Sequence, residues 1–173
     1  MRSVSYLSLG SNIGDGEAQL REAENRLGTL GRVISRSSFY ETEPVEFTQQ
    51  PWFVNCAVGL ETSATPEELM TCILALEEQM GRRREQKKGP RTIDIDILLF
   101  GDEVVTSSAL VVPHPAMHQR RFVLEPLAEI APEARHTILK KTIRELLDQL
   151  PPGQEVKKKS NADSPIHPDK HNG

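Results

Sequence analysis

Gly89-Pro90-Arg91-Thr92-Ile93-Asp94-Ile95-Asp96-Ile97-Leu98-Leu99-Phe100 sets two carboxylates two residues apart in an otherwise apolar run. Side chains alternate faces along a strand, so Ile93, Ile95, Ile97 and Leu99 share one side. Asp94 and Asp96 share the other, about 6.5 Å apart along the backbone. Two like charges so placed call for a cation. Without one, repulsion raises the pKa of one carboxyl group, whereas bound Mg²⁺ favours both in their ionised form. Magnesium in turn points to a phosphate substrate, because it usually binds through one or two carboxylates completed by phosphate oxygens and water. The competing reading is a pair of solvated carboxylates on the open side of an edge strand, since a bare D-x-D is a weak motif.

Working outward, residues 4 to 9 read as a first strand, residues 10 to 16 as a loop, and Leu20, Ala23, Leu27 and Leu30 recur at helical spacing. A second strand is expected from Val33 to Tyr40, followed by a long loop between Pro44 and Pro51. Trp52, Val54, Cys56, Val58 and Leu60 line one face of a third strand, and Phe53, Asn55, Ala57 and Gly59 line the other. Thr65 as N-cap, Pro66 at the first helical position and Glu68 completing a capping box open a second helix, with Leu69, Cys72, Ile73, Leu76 and Met80 as its buried stripe and Gly81 as its stop. Short strands are expected at Val104-Val105 and at Leu110 to Val112. A final helix starts after Thr142, where Glu145 repeats the capping-box spacing. Strand, helix, strand, strand, helix, strand is the order of an α+β, ferredoxin-like split βαβ sandwich, with a mainly antiparallel sheet, helices on one face and an active-site cleft on the other. Residues 1–150 are read as one catalytic domain. Residues 151–173, rich in proline, lysine and polar side chains, are read as a disordered tail.

A chain of 173 residues with a formal charge of −4 has no global pull towards nucleic acid or anionic membranes. The charge is unevenly spread: Arg82 to Arg91 holds six basic residues and one acidic one. No segment has signal-peptide or transmembrane character, so a soluble, cytoplasmic protein with no membrane partner is expected. No nucleic-acid partner is expected either, and a monomer is the expected state. Cys56 and Cys72 lie in apolar periodic segments without paired-cysteine spacing, and buried free thiols are the expectation.

Read alone, the segment Arg82-Arg83-Arg84-Glu85-Gln86-Lys87-Lys88 is a solvated surface. Beside the aspartates it becomes a set of guanidinium forks suited to a polyphosphate, and a loop able to exclude water. It lacks the interleaved aromatic residues that nucleic-acid stacking requires. His114, flanked by Pro113 and Pro115 and followed by Arg120 and Arg121, suggests further donors for phosphate or ribose; no H-E-x-x-H spacing supports zinc. Phe53 offers a flat stacking surface and Asn55 a paired donor and acceptor suited to a heterocycle edge, although both also suit an ordinary strand. Gly10-Ser11-Asn12 matches neither the Walker pattern nor G-x-G-x-x-G, so any use of ATP proceeds without a P-loop.

From Tyr6 to Ala131 the sequence resembles the 6-hydroxymethyl-7,8-dihydropterin pyrophosphokinase family. The resemblance is carried by Leu9-Gly10-Ser11-Asn12, Ser38-Phe39-Tyr40-Glu41-Thr42, Phe53-Val54-Asn55 and Thr65-Pro66-Glu67-Glu68-Leu69. Its most specific parts are Gly89 to Asp96 and Val112-Pro113-His114-Pro115 leading into Arg120 to Leu127. It implies transfer of the β,γ-diphosphoryl group of ATP to the pterin hydroxymethyl oxygen, with release of AMP. Asp94 and Asp96 would hold two Mg²⁺ ions. Arg82 and Arg91 would join them in catalysis, and Glu77, Arg82, Arg84, Arg91, Ile97, His114 and Arg120 would bind ATP. Thr42, Val45 and Asn55 would form the hydrogen-bonding wall for the pterin, between Phe53 and Phe122 as a stacking pair. One departure stands out: many members carry tryptophan immediately before Gly-Pro-Arg, where this chain has Lys88 and a loop one residue shorter. The competing functions are a Mg²⁺-dependent nucleotidyltransferase, which would release pyrophosphate, and a noncatalytic nucleotide- or RNA-binding module.

Overall fold

The computed structural model describes residues 2–12, 15–43, 52–81, 93–153 and 155–159. Val45, Arg82, Arg84 and Arg91, all expected at the site, lie outside the described residues. Strand β1 (Ser3–Ser11) leads to helix α1 (Gly16–Leu27), which starts where the Asp15 side chain accepts from the Ala18 N–H at 3.1 Å. Strands β2 (Arg32–Arg36), β3 (Tyr40–Thr42) and β4 (Phe53–Thr62) follow, then helix α2 (Pro66–Gln79) with the expected Thr65–Glu68 capping box. The aspartate strand is β5 (Asp94–Phe100), and β6 (Val105–Thr106) with β7 (Val111–Val112) forms the expected small hairpin.

The main sheet runs β3-β4-β1-β5, and every described pair in it is antiparallel. β2 also lies on β4, beside Val58 to Glu61, while β3 lies beside Phe53 to Asn55. The single strand expected from Val33 to Tyr40 is therefore two, interrupted at residues 37–39. Ser37 keeps contact with β4 across the break, because its N–H donates to the Ala57 carbonyl at 2.9 Å and its hydroxyl accepts from the Ala57 N–H at 2.9 Å. Since β1 and β2 are each antiparallel to β4, they run parallel to one another with β4 between them. That is the split βαβ arrangement.

Two apolar clusters sit on opposite faces of this sheet. Leu7, Leu9, Val54, Cys56, Val58, Leu60, Ile93, Ile95 and Ile97 pack with Leu20 and Leu27 of α1 and with Leu69, Ile73 and Leu76 of α2. On the other face Ala57, Leu98 and Leu99 pack with α3 (Arg121–Ile130) and α4 (Ile143–Asp148). Helices thus cover part of the second face as well, and the cleft is what they leave open. β8 (Arg135–His136) and β9 (Lys141–Thr142) form a hairpin before α4, whose Thr142–Glu145 capping box is formed as expected.

Several expectations are corrected. Leu99 does not share a face with Ile97, because the register slips opposite Tyr6 and Leu7, and Leu98 and Leu99 both join the second cluster. Cys56 is buried, but Cys72 is exposed, and Glu77 takes a place in the buried face of α2. The tail expected to be disordered from Pro151 instead contributes a strand, β10 (Val156–Lys158), that pairs with β3 at the sheet edge. Residues 160–173 lie outside the described residues.

Candidate active site

Residues paired across neighbouring strands point to the same face, so the register alone assembles the cleft. Gly10 of β1 lies opposite both Asp94 of β5 and Asn55 of β4, and Asn55 lies opposite Tyr40 of β3. One row across the sheet therefore reads Asp94, Gly10, Asn55, Tyr40. Asp96 begins the neighbouring row opposite Ser8, and Phe53 pairs with Thr42 one step further along β4. With strands about 4.8 Å apart, the Asp94 and Asn55 backbones are separated by about 10 Å across the row.

Glycine at position 10 is a steric requirement. A Cβ built there would meet the Asn55 side-chain amide nitrogen at 2.7 Å. The Asn55 amide is 4% exposed, and its Oδ1 is buried without a hydrogen-bond partner, as is the Thr42 hydroxyl, itself 2% exposed. Buried polar atoms are nearly always paired, so two orphaned acceptors on adjacent rows mark a surface awaiting a polar ligand.

The other wall comes from the turn after the cis Val112–Pro113 bond. The His114 N–H donates to the Leu98 carbonyl at 3.0 Å, and its ring Nδ1 accepts from the Ala116 N–H at 3.2 Å. An Nδ1 used as acceptor places the proton of the neutral ring on Nε2, leaving a donor for a ligand. Burial, joined by the Arg120 guanidinium and opposed by Asp94, holds the His114 pKa below the usual histidine value. Those influences place Asp94, His114 and Arg120 within electrostatic reach of one another. Arg120 caps the start of α3, with its guanidinium carbon 5.6 Å from the centre of the Phe122 ring.

Two expected nucleotide contacts are placed differently. Ile97 is buried in the cluster beneath α1 and α2, on the face opposite the aspartates. Glu77 is 1% exposed at the joint between α2 and β5, where its carboxylate accepts from the Ile95 N–H at 2.8 Å. As the structure stands, Glu77 anchors the outer edge of the aspartate strand.

Glu129 of α3 is a residue that the sequence reading missed. Its carboxylate accepts from the Tyr40 hydroxyl at 2.7 Å, the Ser38 hydroxyl at 2.9 Å and the Ser38 N–H at 3.1 Å. Burial first, and then Glu129, raises the Tyr40 pKa, so this hydroxyl remains a donor. The network pins β3 beneath α3 next to Asn55.

Among the described residues no three His, Cys, Asp or Glu side chains cluster to hold a metal unaided. Two carboxylates on one face, needing phosphate oxygens and water to complete a coordination shell, suit Mg²⁺ better than zinc or a protein-caged calcium ion.

Both the sequence and the fold are similar to those of known proteins. Residues 6–132 match the family described as 7,8-dihydro-6-hydroxymethylpterin-pyrophosphokinase (HPPK). The 2-amino-4-hydroxy-6-hydroxymethyldihydropteridine pyrophosphokinase of Bacillus subtilis (strain 168) is 48% identical over 132 residues, covering 75% of this chain and 79% of that protein. Its namesake from Methylorubrum extorquens is 47% identical over 150 residues, covering 86% of this chain and 94% of the relative. Among solved structures, Plasmodium falciparum HPPK-DHPS with pteroate superposes with a TM-score of 0.67 at 18% identity. That match covers 86% of this chain but 42% of the longer one, and it bears on the fold alone.

Proposed function

The chain belongs to the 7,8-dihydro-6-hydroxymethylpterin-pyrophosphokinase family, and from that premise we propose how its residues divide the work. It is a transferase of folate biosynthesis that moves a diphosphoryl group from ATP to the hydroxymethyl group of 6-hydroxymethyl-7,8-dihydropterin and releases AMP. The acceptor oxygen forms a bond to the β-phosphorus as the bond to the α,β-bridging oxygen breaks. The hydroxyl proton leaves to solvent.

Asp94 and Asp96 hold Mg²⁺, two ions in our reading. When bound, the metal neutralises the transferring phosphates and acidifies the acceptor hydroxyl. His114 donates from Nε2 to a phosphate oxygen, and Arg120 adds a fixed positive charge at the start of α3. Arg82, Arg84 and Arg91 complete the phosphate contacts by their family resemblance. Asn55 presents its unpaired Oδ1 and its amide N–H to the edge of the pterin, helped by the Thr42 hydroxyl and Val45, with Phe53 and Phe122 as apolar walls. Glu77 and Ile97, expected at ATP, act from beneath as supports of β5. Positioning and charge stabilisation then carry the catalysis, with no dedicated base.

The observation that carries this reading is the row Asp94, Gly10, Asn55, which sets a carboxylate and an unsatisfied amide on one face. The test is incubation with ATP, Mg²⁺ and the hydroxymethyl pterin, followed by product identification. AMP and the pterin diphosphate are expected, and Asp94→Asn and Asp96→Asn should lower turnover by on the order of 10²–10³. Release of pyrophosphate would favour nucleotidyl transfer. Tight nucleotide binding without turnover would favour a binding module.

A further inference from the structure

We propose that β10 is a positioning strand for the acceptor subsite, clamping the chain on both flanks of residues 44–51 and so holding Thr42, Phe53 and Asn55 ready for the pterin. The inference rests on the assignment of that subsite above. Val156, Lys157 and Lys158 lie opposite Thr42, Glu41 and Tyr40, the two strand residues next to Phe53 and Asn55 among them. The pairing continues at both ends. The Lys159 N–H donates to the Phe39 carbonyl at 2.8 Å, and the Glu43 N–H donates to the Glu155 carbonyl at 3.3 Å. The Glu155 N–H returns a bond to the Glu43 carboxylate at 2.9 Å. On the far flank the Lys157 ammonium lies 5.4 Å from the centre of the Trp52 ring. The Lys159 ammonium pairs with Glu17, fastening the end of the strand to α1.

β10 adds little to the core, since Lys157 and Lys158 are exposed and Val156 is half-buried. Its contribution is backbone order. Without it β3, three residues long, would be the edge of the sheet. A subsite whose walls must be ordered by the ligand binds more weakly than one ordered beforehand.

The ladder supplies a discriminating test. The bonds at Phe39 and Glu43 flank the Lys157–Glu41 pair, and the alternation of an antiparallel ladder makes that pair hydrogen-bonded, with the Lys158 N–H facing the open edge. Lys157→Pro removes a ladder donor, whereas Lys158→Pro removes a donor turned outward. KM for pterin and for ATP, kcat and thermal unfolding are measured for both variants and for a deletion of residues 154–173. Lys157→Pro and the deletion should raise the pterin KM about tenfold with the ATP KM within about twofold, and Lys158→Pro should match the parent. A deletion that leaves the pterin KM unchanged overturns the inference. So does a parallel rise in both KM values, or loss of the folded state in Lys157→Pro and the deletion, because β10 would then be a general stability element. A parent protein that makes no AMP would instead overturn the functional reading.

Discussion

Gly10→Ala tests the geometry of the site more sharply than removal of any charged residue. The added Cβ would lie 2.7 Å from the Asn55 Nδ2, well inside the 3.4 Å at which ordinary contact begins. Asn55 has little room to yield, because it is buried between β1 and β3 with Tyr40 beside it in the row. If the amide holds its place, the strain resembles core overpacking and costs about 1–3 kcal/mol of stability. If it rotates away, stability is spared but the pterin edge loses its matched donor and acceptor, a loss of about 1–3 kcal/mol of binding. In that second case pterin affinity should fall roughly ten- to a hundredfold. ATP affinity should hold, since Asp94 and His114 are not touched by the new methyl group. Calorimetric titration with each substrate, together with thermal unfolding, separates the two outcomes. In an Asn55→Ala background the clash vanishes, so Gly10→Ala should add little further loss, a non-additivity of at least about 1 kcal/mol. Unchanged pterin affinity and stability in Gly10→Ala would refute the row geometry itself.

Three further outcomes follow from buried polar groups. Glu129→Ala strips acceptors from Tyr40 and Ser38 together and should cost about 2–4 kcal/mol in urea unfolding. Glu77→Gln keeps a carbonyl acceptor for the Ile95 N–H and should leave stability and ATP KM nearly unchanged, while Glu77→Leu should lose about 1–3 kcal/mol; a large ATP KM effect in Glu77→Gln would return this residue to the nucleotide site. Burial, followed by the neighbouring His118, lowers the His136 pKa, and burial does the same at His114, so both contribute stability that is present above pH 6.5 and is lost as pH falls through their folded values. His136→Asn retains an acceptor for the Ile138 and Leu139 N–H groups and should flatten the decline that sets in below pH 6.5, read as urea midpoints.

What the sequence made legible is what depends on neighbours close along the chain. The alternation of Ile93, Ile95 and Ile97 with Asp94 and Asp96 is local, and it placed both carboxylates on the correct face. The capping boxes at Thr65 and Thr142 each span four residues and form as the spacing predicts. Leu99 was misplaced because the slip opposite Tyr6 and Leu7 is a property of two strands, invisible in either alone. Helix α3 was hidden by Pro126, which lacks the N–H that would donate to the Phe122 carbonyl and normally argues against a helix interior. Glu129 bonds to Ser38 across 91 positions, and no spacing rule reaches that far. β10 was obscured by its own composition, since a lysine-rich edge strand buries almost nothing and its order derives from a partner distant in sequence.

The same distinction separates the two halves of the cleft. The residues proposed for phosphate are dense in charge, and paired carboxylates or clustered arginines are conspicuous in any sequence. Those proposed for the pterin are a glycine, an amide, a hydroxyl and a phenylalanine, residue types that are ordinary in strands. Gly10, Asn55 and Thr42 acquire meaning when the register sets a missing Cβ against an amide and leaves two acceptors unpaired. On the proposed assignment, selectivity for a neutral heterocycle comes from the alignment of β1, β3 and β4, and a shift of one residue at β3 would turn Thr42 to the opposite face and remove that selectivity while leaving Asp94 and Asp96 in place.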